Sequence, residues 1–287
     1  MSRRAPLPVR DGLGPARVRL HGGSVYDEFE RRWGAGAKVL AGEVVCASGA
    51  VVTPATVLPA GAHVFFYREL PDEVEVPFDI PVLYRDDDIV VVDKPHFLAT
   101  MPRGRHVAQT ALVRLRRSLR LPELSPAHRL DRLTAGVLLF TVRREVRGAY
   151  QSLFARGQVH KTYHAVAQGV PTVELPVTVR NRIVKRRGVL QAVVEPGEPN
   201  AETLVESLGG ERYRLTPRTG RTHQLRVHMC GLGVPICGDP LYPDVIDVAP
   251  EDFSSPLQLV AYSLEFEDPL TGQPRRFVSE RELPGVE

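Results

Sequence analysis

Two short, uninterrupted apolar runs in the middle of the chain constrain the fold most. Ile89–Asp93 is apolar up to its last residue, and Ala135–Val142 is apolar or small except for Thr141. Both are far shorter than the ~18 residues that a membrane helix needs, which excludes an integral membrane protein. Runs of this length are typical of buried strands. We therefore expect a sheet at the centre of the molecule.

Helical and strand patterns alternate irregularly along the rest of the chain. Val25, Phe29 and Trp33 share one helix face, and amphipathic helices are predicted over 107–120 and 145–155. Because the strands and helices do not form repeated βα units, the pattern favours an α+β fold. We expect a mixed, mostly antiparallel sheet with flanking helices, a central basic active-site cleft and a small N-terminal domain. The other predicted elements are strands at 159–168, 200–216, 257–266 and 275–278, and a helix from the N-cap Thr222 to Met229.

Composition shifts divide the chain into segments. The 287 residues correspond to about two domains. Residues 1–22 are rich in Pro, Gly and Arg and predict an extended arm, and residues 23–70 predict a small domain. Residues 71–81 hold three prolines and four acids, which indicates a linker before a larger domain at 82–287. The start has no apolar stretch, so no secretory signal is expected, and three scattered cysteines exclude a disulfide framework or a zinc site.

Positive charge is concentrated in the middle of the chain. The net charge is only +3, yet residues 101–161 carry 12 arginines and one lysine against three acids. Residues 180–187 add five basic residues, while the C-terminal segment is acidic. This asymmetry indicates one surface that faces a polyanion. The candidate contacts are His128, Arg132, Lys161, Arg186 and Arg187.

One acid stands inside this basic region. Asp131 lies in His128–Arg132, between Arg129 and Arg132 and directly before the apolar run. Neighbouring guanidinium groups favour the ionised form of a carboxyl. An ionised, oriented carboxylate can act as a nucleophile or general base, but a structural ion pair explains the pattern equally well.

A second cluster follows near residue 220. Thr219–His228 places a glycine turn before a predicted helix, with Arg221 at the turn and Gln224 and His228 on one helix face. The spacing of His223 and His228 does not favour metal ligation. A solvated helix with ordinary polar contacts is the alternative interpretation.

Together, the clusters resemble motifs of the RluA-type pseudouridine synthases, which isomerise uridine in RNA. The resemblance covers about residues 80–280. It rests on a first motif at Val90–Pro95, a second motif at His128–Phe140 and a third motif at Gly220–His228. Three further segments match: Lys161–Tyr163, Pro235–Asp239 with Tyr242, and Leu259–Gly272. The sequence departs from the usual second motif at Leu133, Ala135 and Val137, and it is atypical at 96–102. These departures affect the expected RNA target and leave the catalytic positions intact.

The resemblance implies a role for each matching residue. Asp131 corresponds to the catalytic aspartate, Arg221 to the arginine that pairs with it, and Tyr163 to the aromatic residue that stacks on uracil. Leu225 corresponds to a pocket-lining residue, and Arg129 to the side chain that replaces the extruded nucleotide. Base extrusion is necessary because a stacked base hides its ring faces. An isomerisation without redox or hydrolysis needs no metal or organic cofactor.

The resemblance also leads to expectations about the small N-terminal domain, the partner and the location of the protein. Residues 23–70 faintly resemble the small alpha-L RNA-binding module of a ribosomal protein, although acids nearly cancel its bases. The expected partner is ribosomal or transfer RNA, with no membrane, and the expected state is a cytoplasmic monomer. Two alternatives stay open: a non-catalytic RNA-binding protein on the same scaffold, and a nucleoside or glycoside hydrolase, which would normally need a second carboxylate.

Overall fold

The computed structural model describes residues 5–70 and 72–283, and the chain divides into two compact units between Asp72 and Glu73. Outside the described residues lie residues 1–4 of the predicted arm, Pro71 of the predicted linker and residues 284–287 of the predicted larger domain. Each unit has its own hydrophobic core. The elements of the first unit are β1 (Ala16–Arg19), β2 (Gly23–Ser24), α1 (Val25–Trp33), α2 (Gly36–Leu40), β3 (Val45–Cys46), β4 (Val57–Leu58) and β5 (His63–Phe66).

The first unit is built around α1. Ser24 caps this helix, since its Oγ accepts the N–H of Asp27 at 3.2 Å, and Gly34 ends it in the left-handed conformation. Val25 and Phe29 are fully buried, as the predicted helix face requires, whereas Trp33 is 42 % exposed. The expectation of an arm through residue 22 is wrong at 16–19, because β1 pairs along its whole length with β5.

The second unit contains the larger sheet. Its elements are β6 (Val82–Arg85), β7 (Ile89–Lys94), α3 (Ala111–Ser118), β8 (Ser125–Pro126), β9 (Ala135–Thr141), α4 (Arg147–Ala155), β10 (His160–Val166), β11 (Val177–Val184), β12 (Val193–Glu195), β13 (Ala201–Gly209), β14 (Arg212–Pro217), α5 (Gln224–Gly231), β15 (Leu259–Glu267) and β16 (Pro274–Val278). The strands are ordered β12-β11-β13-β14-β10-β15-β9-β7-β6, with β16 beside β15 and β8 beside β9. Neighbouring strands run antiparallel except β9 and β15. The predicted α+β fold with a mostly antiparallel sheet is confirmed.

The apolar runs form β7 and β9, which are neighbouring strands between β15 and the edge strand β6. Successive side chains of a strand point to opposite faces. Val90 and Val92 therefore join the core under α3 and α5, while Ile89 and Val91 join the core under α4. A continuous apolar run is thus required where helices cover both faces.

The segment before β6 belongs to the second unit, so the prediction of a linker is wrong after residue 72. Val76 is buried in the core beside α3. The Glu73 carboxylate accepts three successive backbone N–H groups, of Val107, Ala108 and Gln109, at 2.6–3.0 Å. That interaction holds residues 107–109 outside the helix. Helix α3 therefore begins at Ala111, capped by Thr110, and not at Val107 as predicted.

Candidate functional site

Asp131 lies in the loop that joins β8 to β9, and a buried lysine supports this loop. Lys94 is fully buried at the end of β7. Its Nζ donates to the carbonyl oxygens of Pro95 at 2.9 Å, Leu98 at 2.7 Å and Arg132 at 3.2 Å. Burial lowers the pKa of Lys94 well below its ordinary value. The first motif contains Lys94, but the sequence pattern indicates no function for it.

Two further side chains from the segment after β7 fix the same loop. The Thr100 hydroxyl donates to the Leu130 carbonyl at 2.9 Å and accepts the Leu130 N–H at 3.1 Å. The His96 Nδ1 lies 2.8 Å from the Leu133 carbonyl oxygen, to which it donates. Burial lowers the pKa of His96 to about 4, so this ring is neutral near pH 7. Hydrogen bonds therefore hold the backbone in place on both sides of Asp131.

A close strand approach sets where the loop ends. Gly136, at the start of β9, has a φ of +107° and lies opposite Ala261 in the parallel pairing with β15. A Cβ on Gly136 would come within 2.3 Å of the Ala261 carbonyl oxygen. Only glycine combines this φ with this distance.

An open cleft of about 930 Å³ lies beside the loop. Its walls are the loop itself, the end of α4, strand β10 and the turn that leads into α5. Seven of the residues predicted for the site line this cleft: His128, Arg129, Asp131, Lys161, Tyr163, Arg221 and Leu225. The fold thus brings together segments that are almost 100 residues apart in the sequence.

The Asp131 carboxylate lies on the cleft wall and acts on the ionisable groups beside it. Within the described residues, it has no hydrogen-bond or ion-pair partner. Tyr163 lies near it on β10, where burial, and then the Asp131 charge, raise the pKa of the phenol above its ordinary value. Tyr163 therefore keeps its proton at neutral pH, and Asp131 presents a free carboxylate to the cleft.

The ion pair that was expected between Arg221 and Asp131 is absent from this structure. The Arg221 Nε donates to the Asn200 carbonyl oxygen at 3.0 Å. Gln224 fixes the turn that carries Arg221, since its Oε1 accepts the Arg221 N–H at 3.0 Å and the Thr219 hydroxyl at 2.7 Å. The guanidinium is exposed on the cleft wall and is held by a neutral acceptor.

His128 differs from the expectation of an RNA-binding cation. Its Nε2 accepts the Leu139 N–H at 3.2 Å, and its ring stacks on Phe154 with centroids 4.3 Å apart. Burial, and then the Lys161 charge, lower the pKa of His128 to about 3. His128 is therefore a neutral wall of the cleft. Lys161 and Arg129 line the cleft and have no side-chain partner within the described residues.

Three predicted RNA contacts lie outside the cleft. The Arg132 Nη1 is directed toward the Phe97 carbonyl oxygen, 3.4 Å away. Arg186 forms an ion pair with Glu195, and Arg187 is exposed on the same loop between β11 and β12. These side chains therefore do not form part of the pocket around Asp131.

Several arginines of the basic central segment support backbone structure. Arg114 on α3 donates to the carbonyl oxygens of Val76 and Phe78, each at 2.9 Å. The Arg116 Nε donates to the Leu124 carbonyl oxygen at 3.0 Å. The local charge excess thus overstates the number of cations that are available to a ligand.

A buried network behind the cleft was missed by the sequence interpretation. Arg226 on α5 and Asp239 are both buried and form a two-bond ion pair, with Nε and Oδ2 2.7 Å apart. Helix α5 begins at Gln224 after His223, and not after the predicted cap Thr222. His223 also lines the cleft, and its Nδ1 lies 2.9 Å from the Tyr242 hydroxyl. The third motif and the segment around Asp239 contain these residues but do not reveal their pairing.

No helix within residues 5–70 and 72–283 is both long and apolar enough to cross a membrane. Across the same residues, no three His, Cys, Asp or Glu side chains are grouped so that they could hold a metal ion.

Comparison with known proteins assigns the chain to a family. Residues 88–230 match the family model described as RNA pseudouridylate synthase. The chain is 34% identical over 208 residues to the dual-specificity RNA pseudouridine synthase RluA of Salmonella typhi, covering 68% of this chain and 90% of that protein. It is 37% identical over 171 residues to the human pseudouridylate synthase RPUSD2, covering 58% of this chain but only 31% of the human protein.

A solved structure agrees with these matches. Human RNA pseudouridylate synthase domain containing 1 superposes with a TM-score of 0.57 at 26% identity, covering 74% of this chain and 86% of that one. The chain belongs to the RNA pseudouridine synthase family, and its relatives place it with the RluA type. It is an isomerase that converts uridine in RNA to pseudouridine.

Proposed function

We propose that Asp131 is the catalytic nucleophile and that it attacks a uridine flipped out of the RNA into the cleft. The observation that carries this proposal is the Asp131 carboxylate, which is half-buried and unpaired among the described residues. It also lies close enough to Tyr163 to raise the pKa of that phenol. In the reaction the bond that Asp131 forms with the uridine is transient and breaks again before the product leaves. Over the whole reaction the bond from N1 to C1′ breaks and a bond from C5 to C1′ forms. The C5 hydrogen leaves as a proton, and N1 gains one.

The neighbouring side chains support this chemistry in distinct ways. The Tyr163 ring, between Asp131 and the core, can stack on the uracil, and its protonated hydroxyl can assist proton transfer at C5. Leu225 supplies an apolar wall. Arg221 is exposed beside the cleft, and we propose that its guanidinium turns from Asn200 to Asp131 when RNA binds. Arg129, exposed and unpartnered among the described residues, would fill the space that the extruded base leaves.

The RNA path is a second part of the proposal. Lys161 lines the cleft without an acid partner among the described residues, and we assign it to a phosphate near the target nucleotide. Arg186 and Arg187 would meet phosphates farther along the RNA. Arg132 and His128, expected to contact RNA, instead support the loop and the cleft wall.

The nature of the RNA is proposed from relatives and charge. A Vibrio cholerae relative at 31% identity is a tRNA pseudouridine synthase C, and the Salmonella typhi relative is described as having dual specificity. We propose a transfer or ribosomal RNA substrate and a cytoplasmic location. We also propose a monomer, since one chain supplies all the cleft walls. The similarity of the first unit to an RNA-binding module stays a prediction; exposed Arg17 and Arg19 on β1 favour it.

The decisive experiment is tritium release from RNA labelled at C5 of uridine. The Asp131→Asn variant keeps the side-chain shape, so it should bind RNA within a few-fold of wild type yet release no tritium. Asp247→Asn makes the same change at an exposed position away from the cleft and should behave as wild type. Multiple turnover by Asp131→Asn would refute the assignment of the nucleophile. Release of free uracil would indicate a hydrolase.

A further inference from the structure

His223 occupies an unusual position on the cleft wall. It precedes α5 in the left-handed conformation, with a φ of +60°. A non-glycine residue in this region of backbone space is strained, and such residues cluster at functional sites. The imidazole is half-buried, and it lines the same cleft as Asp131, Tyr163 and Leu225.

The Tyr242 hydroxyl determines which nitrogen of His223 carries the proton. The phenol accepts the Ala192 N–H at 2.6 Å and donates to the Ala192 carbonyl oxygen at 3.0 Å. Within the described residues, that buried carbonyl has no other donor. The phenol proton is therefore committed to Ala192, and His223 Nδ1 must donate to the phenol oxygen, 2.9 Å away. His223 Nε2 is left with a lone pair.

The position of this imidazole is fixed from behind. Asp239 Oδ1 accepts the N–H groups of Leu241 at 2.9 Å and Tyr242 at 3.3 Å. Asp239 is itself held by Arg226, whose guanidinium carbon lies 5.1 Å from the centroid of the Tyr242 ring. The hydroxyl that orients His223 is therefore part of a buried and rigid network.

The surroundings of the ring keep it neutral. Burial lowers the pKa of His223 below its ordinary value, and the charges of Arg226 and Lys185 act in the same direction. Asp131 and Asp239 oppose the shift. At neutral pH His223 Nε2 is therefore an acceptor, and no described residue donates to it.

We propose that His223 Nε2 accepts the N3–H of the flipped uracil and so selects uridine against cytidine. This inference rests on the proposed function of the cleft. Uracil carries its one Watson–Crick donor at N3, between two carbonyl acceptors. Cytosine has a lone pair at N3, which would face the lone pair of Nε2 without a proton between them. A site built around a hydrogen bond rejects an analogue that leaves its buried polar group unpaired.

The test combines a change in the protein with a change in the base of the target nucleotide. His223→Phe keeps an aromatic ring and removes the acceptor. RNA with 3-deazauridine at the target replaces N3–H by C–H and keeps the shape of the base. Its 4-oxygen becomes a hydroxyl, a second change that wild type and His223→Phe meet alike. For binding by wild-type protein, we expect 3-deazauridine to weaken affinity about 5- to 100-fold, the range of a hydrogen bond that leaves its partner unsatisfied. For His223→Phe, the ratio of the affinities for uridine and 3-deazauridine RNA should be smaller by this factor, because the acceptor for N3–H is gone.

Two controls make the result unambiguous. His223→Gln offers an amide oxygen as acceptor and should restore part of the preference for uridine. His160→Phe, on exposed His160 outside the cleft, should leave the preference unchanged. A merely structural role of His223 would weaken both RNAs alike, and an unchanged preference in His223→Phe would overturn the proposal. Tritium release from the uridine RNA by the wild-type protein tests the proposed function independently. If the wild-type protein releases tritium, a negative result with His223→Phe counts against this inference alone.

Discussion

Removal of Asp239 should destabilise the second unit more than any change at a surface ion pair. The side chains of Arg226 and Asp239 are 3% and 1% exposed, and two hydrogen bonds join them. Asp239→Ala leaves the Arg226 charge buried without its partner. It also removes the acceptor for the N–H groups of Leu241 and Tyr242.

The magnitude follows from burial. Breaking a buried pair by removing one partner costs about 3–5 kcal/mol. For a unit of this size, about 2–4 °C of melting temperature corresponds to each kcal/mol, so a decrease of about 6–20 °C is expected. The matched surface pair is Arg276 with Glu265, 60% and 39% exposed. Glu265→Gln should cost at most about 1 kcal/mol.

Calorimetry of the full chain, with chemical denaturation as a second measurement, tests this expectation. The double variant Arg226→Met/Asp239→Leu removes both charges together. It should be more stable than Asp239→Ala, because no unpaired charge stays buried. The reasoning is refuted if Asp239→Ala and Glu265→Gln lower the melting temperature equally. It is also refuted if the double variant loses as much stability as Arg226→Met and Asp239→Leu added together.

Four further outcomes are expected. Gly136→Ala should reduce soluble, active enzyme severely, because its Cβ would overlap the Ala261 carbonyl; normal melting and activity would contradict this. Unfolding free energy should fall as pH decreases from about 6.5 toward about 3, since only the unfolded chain takes up a proton at His128, and His128→Gln should flatten that slope by up to about 1.4 kcal/mol per pH unit. Tyr163→Phe should bind RNA normally yet release tritium about 10²–10⁴ times more slowly, and a wild-type rate would leave Tyr163 as a stacking residue only. Arg187→Gln should reduce the salt dependence of RNA affinity by about 0.7–0.9 in log–log slope without changing the single-turnover rate, and an unchanged slope would place Arg187 off the RNA path.

The sequence by itself determined the elements whose signal is local. The strands β7 and β9 were predictable because helices cover both of their faces, so residues 89–92 and 135–140 are all apolar or small. The hairpin of β13 and β14 was predictable from the glycines at 209–210. The motifs around Asp131, Tyr163 and Arg221 together identified the loop, the family and seven residues that line one cleft.

Only the tertiary structure decided which partner each polar group meets. Glu73 captures the N–H groups of residues 107–109 and delays the start of α3, although more than 30 residues separate them. Asp93 looks like an ordinary strand end, yet it accepts hydrogen bonds from Ser279 and Arg281, more than 180 residues later. Hydrophobic periodicity is set by neighbours within a few turns of chain. A buried charge or amide is satisfied by whatever the completed fold places beside it, and this is why the support of Asp131 and the orientation of His223 emerge only in three dimensions.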